Sequence, residues 1–139
     1  MRAFLITLGL ALMAVAGPAL AADPVEREWL VEDGSGKIRV GPCPGKADRM
    51  CGVVTWGTKP ADSKDVHNPD PALRNRILLG LMLLSDFKPV SPGRWTGGRI
   101  YDPASGKTYD SKMAVTGKGA LKVQGCILIV CEAQIWTPG

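Results

Sequence analysis

The only histidine of the chain, His67, lies in an acidic segment and is the first residue to consider for acid–base chemistry. A hydrolytic triad also needs an activated nucleophile. Ser63 is close in sequence, but no Gly-x-Ser-x-Gly elbow and no paired-carboxylate motif occurs in the chain. We therefore expect that the protein is not an enzyme, and no residue pattern implies a cofactor.

Four oxygen-bearing side chains around this histidine could instead bind Ca²⁺, which prefers carboxylate and amide oxygens. They are Asp62, Asp65, Asn68 and Asp70. Their spacing does not match the Asp-x-Asp-x-Asp-Gly pattern of a calcium loop, whereas Asp, Asn and Pro in such density are typical of turns. The segment from Thr58 to Pro71 therefore predicts a long solvated loop and no metal site.

Two arginines that follow this loop, Arg74 and Arg76, are candidates for anion binding. Positions two apart share a face on an extended segment but not on a helix. Two guanidinium groups on one face can clamp a carboxylate or phosphate. The alternative is that they pair with loop aspartates such as Asp65 and Asp70 and fasten the loop to the fold. We favour the ion pairs, because the acidic partners lie in the same segment.

Aromatic residues supply the remaining candidates. Tyr101 and Tyr109 flank a turn over 102–106, and we expect them to face each other across a hairpin, where cross-strand packing explains them without a ligand. Tryptophans such as Trp95 could line a ligand cavity, but filling a core is the favoured use of such large rings. The candidate ligand-binding residues are therefore Arg74, Arg76, Trp95, Tyr101 and Tyr109.

The N-terminal segment has the three regions of a secretory signal peptide. Arg2 precedes an apolar run from Ala3 to Ala16, and the small-residue triplet 19–21 follows. A membrane anchor is the alternative, but about 14 residues at 1.5 Å rise span ~21 Å, short of a ~30 Å hydrocarbon core. We predict a signal peptide over 1–21 and one domain over 22–139. The mature protein is then periplasmic or secreted and does not span a membrane.

Four cysteines remain after the predicted cleavage, which in a small exported chain indicates two disulfides. Three connectivities are possible, and local pairing is the simplest. Cys43 and Cys51 flank a turn-rich stretch, whereas Cys126 and Cys131 would enclose a very tight apolar loop. The spacings lack the short ligand separation of zinc knuckles, so a zinc site is not expected.

Length and composition limit the class of protein. The 139 residues are 45% hydrophobic and 22% charged, which excludes a disordered tail or a coiled coil and fits one domain with one core. The 17 basic and 13 acidic residues give a net charge of +4. So small an excess does not indicate a nucleic-acid partner.

Alternation of apolar and polar residues predicts an all-β protein. A short helix stopped at Gly80 is expected between Ala72 and Leu84, followed by a strand. The other predicted strands cover 28–32, 37–40, 50–56, 95–101, 108–115, 121–124 and 132–137. About eight short strands, joined mainly by tight turns, favour a small antiparallel β-barrel, since closure removes exposed edges.

Two long motifs carry a family resemblance. They are Asn68-Pro-Asp-Pro-Ala-Leu-Arg-Asn-Arg76, running into Leu79-Gly-Leu81, and Gly97-Gly-Arg-Ile-Tyr-Asp-Pro-Ala-Ser-Gly-Lys-Thr-Tyr109. Trp29, Cys51–Trp56 and Trp136-Thr137 add to these two motifs. Through all of them the mature chain resembles domain of unknown function 2147, a family of small exported bacterial proteins. The resemblance implies a lipocalin-like β-barrel in the envelope and brings no established activity. Members often have Gly two residues before the first-strand Trp, where this chain has Arg27.

Two functions of different classes fit these observations. In the first, the barrel holds a small apolar or amphipathic molecule in its mouth, and Arg74 or Arg76 at the rim binds an acidic group. In the second, side chains fill the interior, and the loop from Thr58 to Leu79 contacts another envelope protein. Neither function involves nucleic acid.

Overall fold

Eight antiparallel strands and one 3₁₀ turn make up the fold. The computed structural model describes residues 11, 13–15, 17 and 21–139, so most of the predicted signal peptide lies outside the described residues. The strands are β1 (Glu28–Leu30), β2 (Gly36–Cys43), β3 (Lys46–Gly57), β4 (Met82–Ser91), β5 (Arg94–Asp102), β6 (Lys107–Val115), β7 (Leu121–Ile127) and β8 (Val130–Pro138). Each pairs with the next, and β8 pairs with β1, which closes the barrel. The all-β barrel prediction is confirmed.

Apolar and polar side chains alternate along the strands, and this alternation decides whether each side chain faces the barrel interior or the solvent. On β2, Ile38 and Val40 are buried while Arg39 between them is exposed. The same period on the other strands directs one apolar set inward. That set includes Met50, Leu84, Phe87, Trp95, Met113, Leu121, Val123 and Trp136, all buried. The hydrophobic pattern of the sequence therefore fixes the inner wall of the barrel.

The two ends of the barrel differ. At one end, which we call the closed end, the segment before β1 plugs the interior: Val25 is fully buried, and its carbonyl accepts a hydrogen bond from Trp29 Nε1 at 2.9 Å. The Arg27 guanidinium lies 5.3 Å from the Trp29 ring, so the residue that departs from the family pattern covers the barrel floor. The opposite mouth end carries the β1–β2, β3–β4, β5–β6 and β7–β8 connections.

Two inward glycines show how tightly the interior is filled. A Cβ on Gly52 would lie 2.9 Å from both Ile38 Cγ2 and Leu84 Cδ1, and a Cβ on Gly98 would overlap the Phe87 ring. Space for a side chain is therefore missing at both positions, and the core is packed side chain against side chain at these levels.

Gly98→Ala is expected to lower the free energy of unfolding by about 2 kcal/mol, because the new methyl group displaces Phe87 in a filled core. Gly41→Ala is the control, since a Cβ there meets no atom within 4 Å. Urea unfolding monitored by tryptophan fluorescence measures both. Equal stability of the two variants would mean that the interior has room at Phe87.

The seam between the first and last strands is short. β1 pairs with β8 only through Trp29↔Pro138 and Leu30↔Thr137. β7 and β8, in contrast, pair over seven positions up to Ile127↔Val130. On the side facing β1, the part of β8 nearest the mouth therefore has no neighbouring strand.

Both disulfides are local. Cys43 pairs with Cys51 across the β2–β3 turn, and Cys126 pairs with Cys131 across the β7–β8 turn. The simplest of the three possible connectivities is the one found, including the tight apolar loop.

The predicted helix between Ala72 and Gly80 is wrong. Only Pro71–Leu73 forms a 3₁₀ turn, and β4 begins at Met82. Backbone pairing with the preceding loop replaces the helical hydrogen bonds: Asp65 N donates to Arg76 O, and Leu78 N donates to Ser63 O. Leu73, Ile77 and Leu79 of this segment are exposed, so no buried apolar face stabilises a helix there.

Candidate functional site

The connection between β3 and β4, residues 58–81, lies against the outside of the barrel and forms the candidate site. Tyr101 on β5 marks the outer wall, because its neighbour Ile100 pairs with Leu84 and packs on the core. The hydroxyl of Tyr101 reaches the connection at Asp65. Farther along, Gly106 in the β5–β6 turn packs against the His67 carbonyl so closely that no Cβ would fit.

Asp65 is the centre of this arrangement. Its side chain has 0% exposure and accepts three hydrogen bonds. Tyr101 Oη donates to Oδ1 at 2.6 Å, while Asn68 Nδ2 and Arg76 Nε each donate to Oδ2 at 2.9 Å. A buried carboxylate needs such partners, since an unpaired buried charge is strongly unfavourable. These bonds join the connection to strand β5.

The same contacts shift the titration of both groups. Burial alone raises the pKa of Asp65, but hydrogen bonds from Tyr101, Asn68 and Arg76 together hold that pKa below its ordinary value. Burial and the hydrogen bond to the Asp65 carboxylate raise the pKa of Tyr101. At neutral pH the site therefore contains a carboxylate, a protonated phenol and a guanidinium.

Arg74 has a different role from Arg76. Its Nε donates to the Asn68 carbonyl at 2.8 Å, and its side chain is exposed. Asp70 accepts from Ala72 N at 2.9 Å and caps the 3₁₀ turn instead of pairing with an arginine. The predicted fastening by an ion pair is thus found for Arg76 with Asp65.

A cavity of about 290 Å³ lies between the connection and the outer wall of β4, β5 and β6, and we call it the outer-wall pocket. Its polar lining residues are Asn68, Arg76, Ser85, Arg99, Tyr101 and Thr108. Its apolar lining residues are Pro69, Leu73, Met82 and Leu83. The volume is at the small end of ligand sites, which span roughly 300–1,000 Å³.

Two guanidinium groups line the outer-wall pocket, and each forms an ion pair with an aspartate. Arg76 uses Nε for Asp65, and its two terminal nitrogens make no hydrogen bond to any described residue. Arg99 Nη1 donates to Asp110 at 2.8 Å on the exposed surface. Because Asp65 fixes one edge of the Arg76 guanidinium, the orientation of the other edge, which has the geometry that carboxylates and phosphates match, is fixed as well.

The other predicted site residues lie elsewhere. Tyr109 pairs with Ile100 and faces the interior, whereas Tyr101 pairs with Thr108 and faces outward, so the expectation that the two tyrosines face each other is wrong. Trp95 is buried in the core at the closed end, six residues from Tyr101 along β5. Of the five candidates, the outer-wall pocket includes Arg76 and Tyr101.

Several residues of the outer-wall pocket were not candidates in the sequence. Arg99 and Thr108 belong to the long β5–β6 motif, and both occupy the polar phase of their strands, as Tyr101 does. That shared phase is the signal that could have placed them on one face with Tyr101. Met82 and Leu83 gave no signal, because their segment had no recognisable period.

The oxygen-bearing residues of the loop do not form a cation site. Asp65 and Asn68 bond to each other, and Asn68 Oδ1 also accepts from Asp70 N at 2.9 Å. Across the described residues, no group of three or more His, Cys, Asp or Glu side chains is arranged to hold a metal ion. In the same part of the chain, no helix has the length and apolar character needed to cross a bilayer.

Residues 28–138 match the model of a family described as an uncharacterized protein conserved in bacteria, DUF2147. No curated protein sequence matches the chain. The solved structure of HP1028 from Helicobacter pylori, described as belonging to the lipocalin family, is similar, with a TM-score of 0.74. The two chains are 21% identical, and the likeness covers 83% of this chain and 82% of that one. At this identity the likeness shows the fold alone, a lipocalin-like barrel.

Proposed function

The chain belongs to the DUF2147 family of uncharacterised bacterial proteins, and we propose that it is an exported binding protein that holds a small amphipathic anion in its outer-wall pocket. The observation that carries the proposal is the Arg76 guanidinium, which Asp65 fixes at one edge and leaves without a described partner at the other. The apolar side of the same pocket, including Leu73 and Met82, would take a short hydrocarbon chain.

Two further observations favour this pocket over the barrel interior. Gly52 and Gly98 have no room for a methyl group, so the interior is filled at the level of Phe87 and Leu84. The cavity beside Trp95, which Arg94 and Lys112 also line, is smaller at about 220 Å³, and Tyr109 pairs with the uncharged Ile100. The proposed location is therefore the outer wall, not the mouth of the barrel.

We propose binding and not catalysis for the same site. The carboxylate of Asp65 accepts three hydrogen bonds and is fully buried, so it does not reach a ligand as a base. The raised pKa of Tyr101 keeps its phenol protonated and bonded to Asp65. Export agrees with the two disulfides, which persist in oxidising compartments.

Octanoate is expected to bind the purified protein with a Kd between about 10 µM and 1 mM, the range for a ligand of roughly ten heavy atoms. Arg76→Gln is expected to weaken this binding at least tenfold, because it removes the charged hydrogen-bond donor. Arg39→Gln, an exposed arginine on β2, is the control and should bind as the unmodified protein does. Isothermal titration calorimetry measures all three, with 1-octanol as the uncharged comparison ligand.

Binding of octanol as tightly as octanoate, or equal binding by the Arg76 and Arg39 variants, would contradict the proposed site. Gly125→Leu locates the binding if that happens, since Gly125 faces Ile100 and Tyr109 inside the mouth. Loss of octanoate binding in the Gly125 variant alone would show that octanoate binds inside the barrel and not in the outer-wall pocket. No binding by the unmodified protein would overturn the proposed function.

The second candidate function is an interaction module that has no small ligand. Close packing around Gly52 and Gly98 favours it, because a filled barrel can serve as a rigid scaffold for its connections. On this candidate, residues 58–81 contact another envelope protein, and octanoate does not bind.

A further inference from the structure

The hairpin between β7 and β8 ends in four consecutive aliphatic residues that are exposed to water. Ile127, Leu128, Ile129 and Val130 are 64%, 90%, 96% and 69% exposed. Leu128 has a φ of 55°, the left-handed conformation that two-residue turns normally assign to Asn or Gly. We call residues 127–130 the hairpin tip. Neither local turn preference nor burial explains leucine and isoleucine at its centre.

A disulfide crosslinks the base of the hairpin tip, and no described residue packs over it. The Cys126–Cys131 disulfide joins the two strands directly beneath it. On the side towards β1, the neighbouring part of β8 has no strand beside it, since that pairing stops at Thr137. The aliphatic side chains are therefore held outward by a covalent crosslink, and no described residue covers them.

Most other exposed apolar side chains lie at the same end of the barrel. Trp56 ends β3 at the mouth, and the β3–β4 connection contributes Val66, Leu73, Ile77 and Leu79. In the half of the barrel nearer the closed end, the exposed large apolar residues of the strands are Val90 and Ile135. Apolar exposure is thus concentrated on one end of the molecule and is not scattered over its surface.

The hairpin tip is a poor protein interface. It has four residues, whereas each partner of a stable complex buries ~800 Å² with about 20–30 residues. It also lacks the Tyr, Trp and Arg residues that supply most binding energy between proteins. A convex aliphatic tip needs a complementary surface on a protein partner, but it needs none to insert into the fluid hydrocarbon of a lipid bilayer.

Charge at the mouth end is close to balanced. The basic residues there are Lys37, Lys59, Lys64, Arg74, Arg76 and Lys107, and the acidic ones are Glu32, Asp33, Asp62, Asp65, Asp70, Asp102 and Glu132. An anionic surface would therefore gain little attraction. We propose that the hairpin tip inserts into the hydrocarbon boundary of a zwitterionic lipid bilayer and holds the mouth end of the barrel on the membrane surface.

Flotation of the purified protein with phosphatidylcholine vesicles tests this proposal. The protein is expected to float with the vesicles, and the double variant Leu128→Asn, Ile129→Gly is expected to partition at least tenfold less. Asn-Gly suits a two-residue turn, so this variant should fold and melt at the same temperature or higher. The control, Val90→Asn, removes an exposed aliphatic residue at the closed end and should not alter flotation.

Salt and ligand measurements separate the proposal from its rivals. Raising salt from 0.05 to 0.5 M should leave flotation unchanged, since attachment depends on hydrocarbon and not on charge. Binding that requires anionic lipid, absence of flotation, or equal flotation of the tip variant would overturn the proposal. So would a change from dimer to monomer on tip substitution in analytical ultracentrifugation. Octanoate affinity should be the same with and without the tip, so the two proposals fail independently.

Discussion

Asp65→Ala is expected to lower the free energy of unfolding by about 3 kcal/mol. The substitution removes a carboxylate of 0% exposure that accepts hydrogen bonds from Tyr101, Asn68 and Arg76. Two neutral donors then lose their acceptor, and the Arg76 guanidinium loses its counter-charge. The loss is less than for a fully buried pair, because the Arg76 side chain is 36% exposed and regains contact with water. Urea denaturation at pH 7 measures it.

The pH dependence identifies the carboxylate as the cause. The pKa of Asp65 is lowered in the folded protein relative to about 3.9 in an unfolded chain, so its contribution is complete above about pH 4 and decreases as pH falls further. The difference in stability between the unmodified protein and Asp65→Ala should therefore shrink below pH 4. Asp62→Ala, at an exposed position of the same loop, is the control and should cost less than about 0.5 kcal/mol. A difference that stays constant down to pH 2 would show that Asp65 acts through packing alone.

Gly106→Ala is the second substitution with a large expected effect, about 3 kcal/mol of lost stability together with loss of octanoate binding. Gly106 has a φ of +71°, and a Cβ there would overlap the His67 carbonyl oxygen. The alanine therefore imposes backbone strain of about 1 kcal/mol and also pushes the β3–β4 connection away from the barrel. Arg76 moves with that connection, so the outer-wall pocket widens.

Gly45→Ala is a matched control for the backbone strain. Gly45 has nearly the same φ, +72°, but a Cβ there meets no atom within 4 Å. Its cost should be limited to about 1 kcal/mol, and octanoate binding should persist. If both variants lose equal stability and both bind octanoate, the connection does not rest on the β5–β6 turn.

The barrel could be predicted from the sequence because it depends on local patterns. Alternation of Ile38 and Val40 with the exposed Arg39, and of Leu121 and Val123 with Lys122, assigns each strand an inner and an outer face. Turn residues between these runs indicate where one strand ends and that the next strand pairs antiparallel beside it. Sheet closure is then favoured, since it removes both exposed edges and buries the one apolar face.

The site could not be predicted in the same way, because its contacts join residues far apart in the chain. Asp65 meets Tyr101 across 36 residues, and the pattern around either residue does not indicate the other. The helix predicted after Ala72 failed for the same reason: backbone groups at Asp65 and Ser63 pair with that segment, and no local propensity records this pairing. Long-range polar contacts decided the course of residues 58–81.

The tyrosine error came from register. The Asp102–Gly106 turn was recognised, but which residues lie opposite each other depends on the closing pair, Asp102↔Lys107. That pair places Tyr101 beside Thr108 and Tyr109 beside Ile100, one step away from the expected partnership. Because faces alternate at every residue, one step is enough to send the two rings to opposite sides of the wall.

The short seam between β1 and β8 has a consequence for the order of folding. The strands that complete the ring are the first and the eighth; Trp29 and Leu30 pair with β8, and Glu28 O accepts a hydrogen bond from Gly139 N directly after it. The seven pairings between consecutive strands can form while the chain is still growing, but ring closure must wait for the last strand. Contacts of such long sequence separation carry the largest loop-closure entropy, so they form late. A nascent chain therefore cannot close its barrel until synthesis passes Thr137.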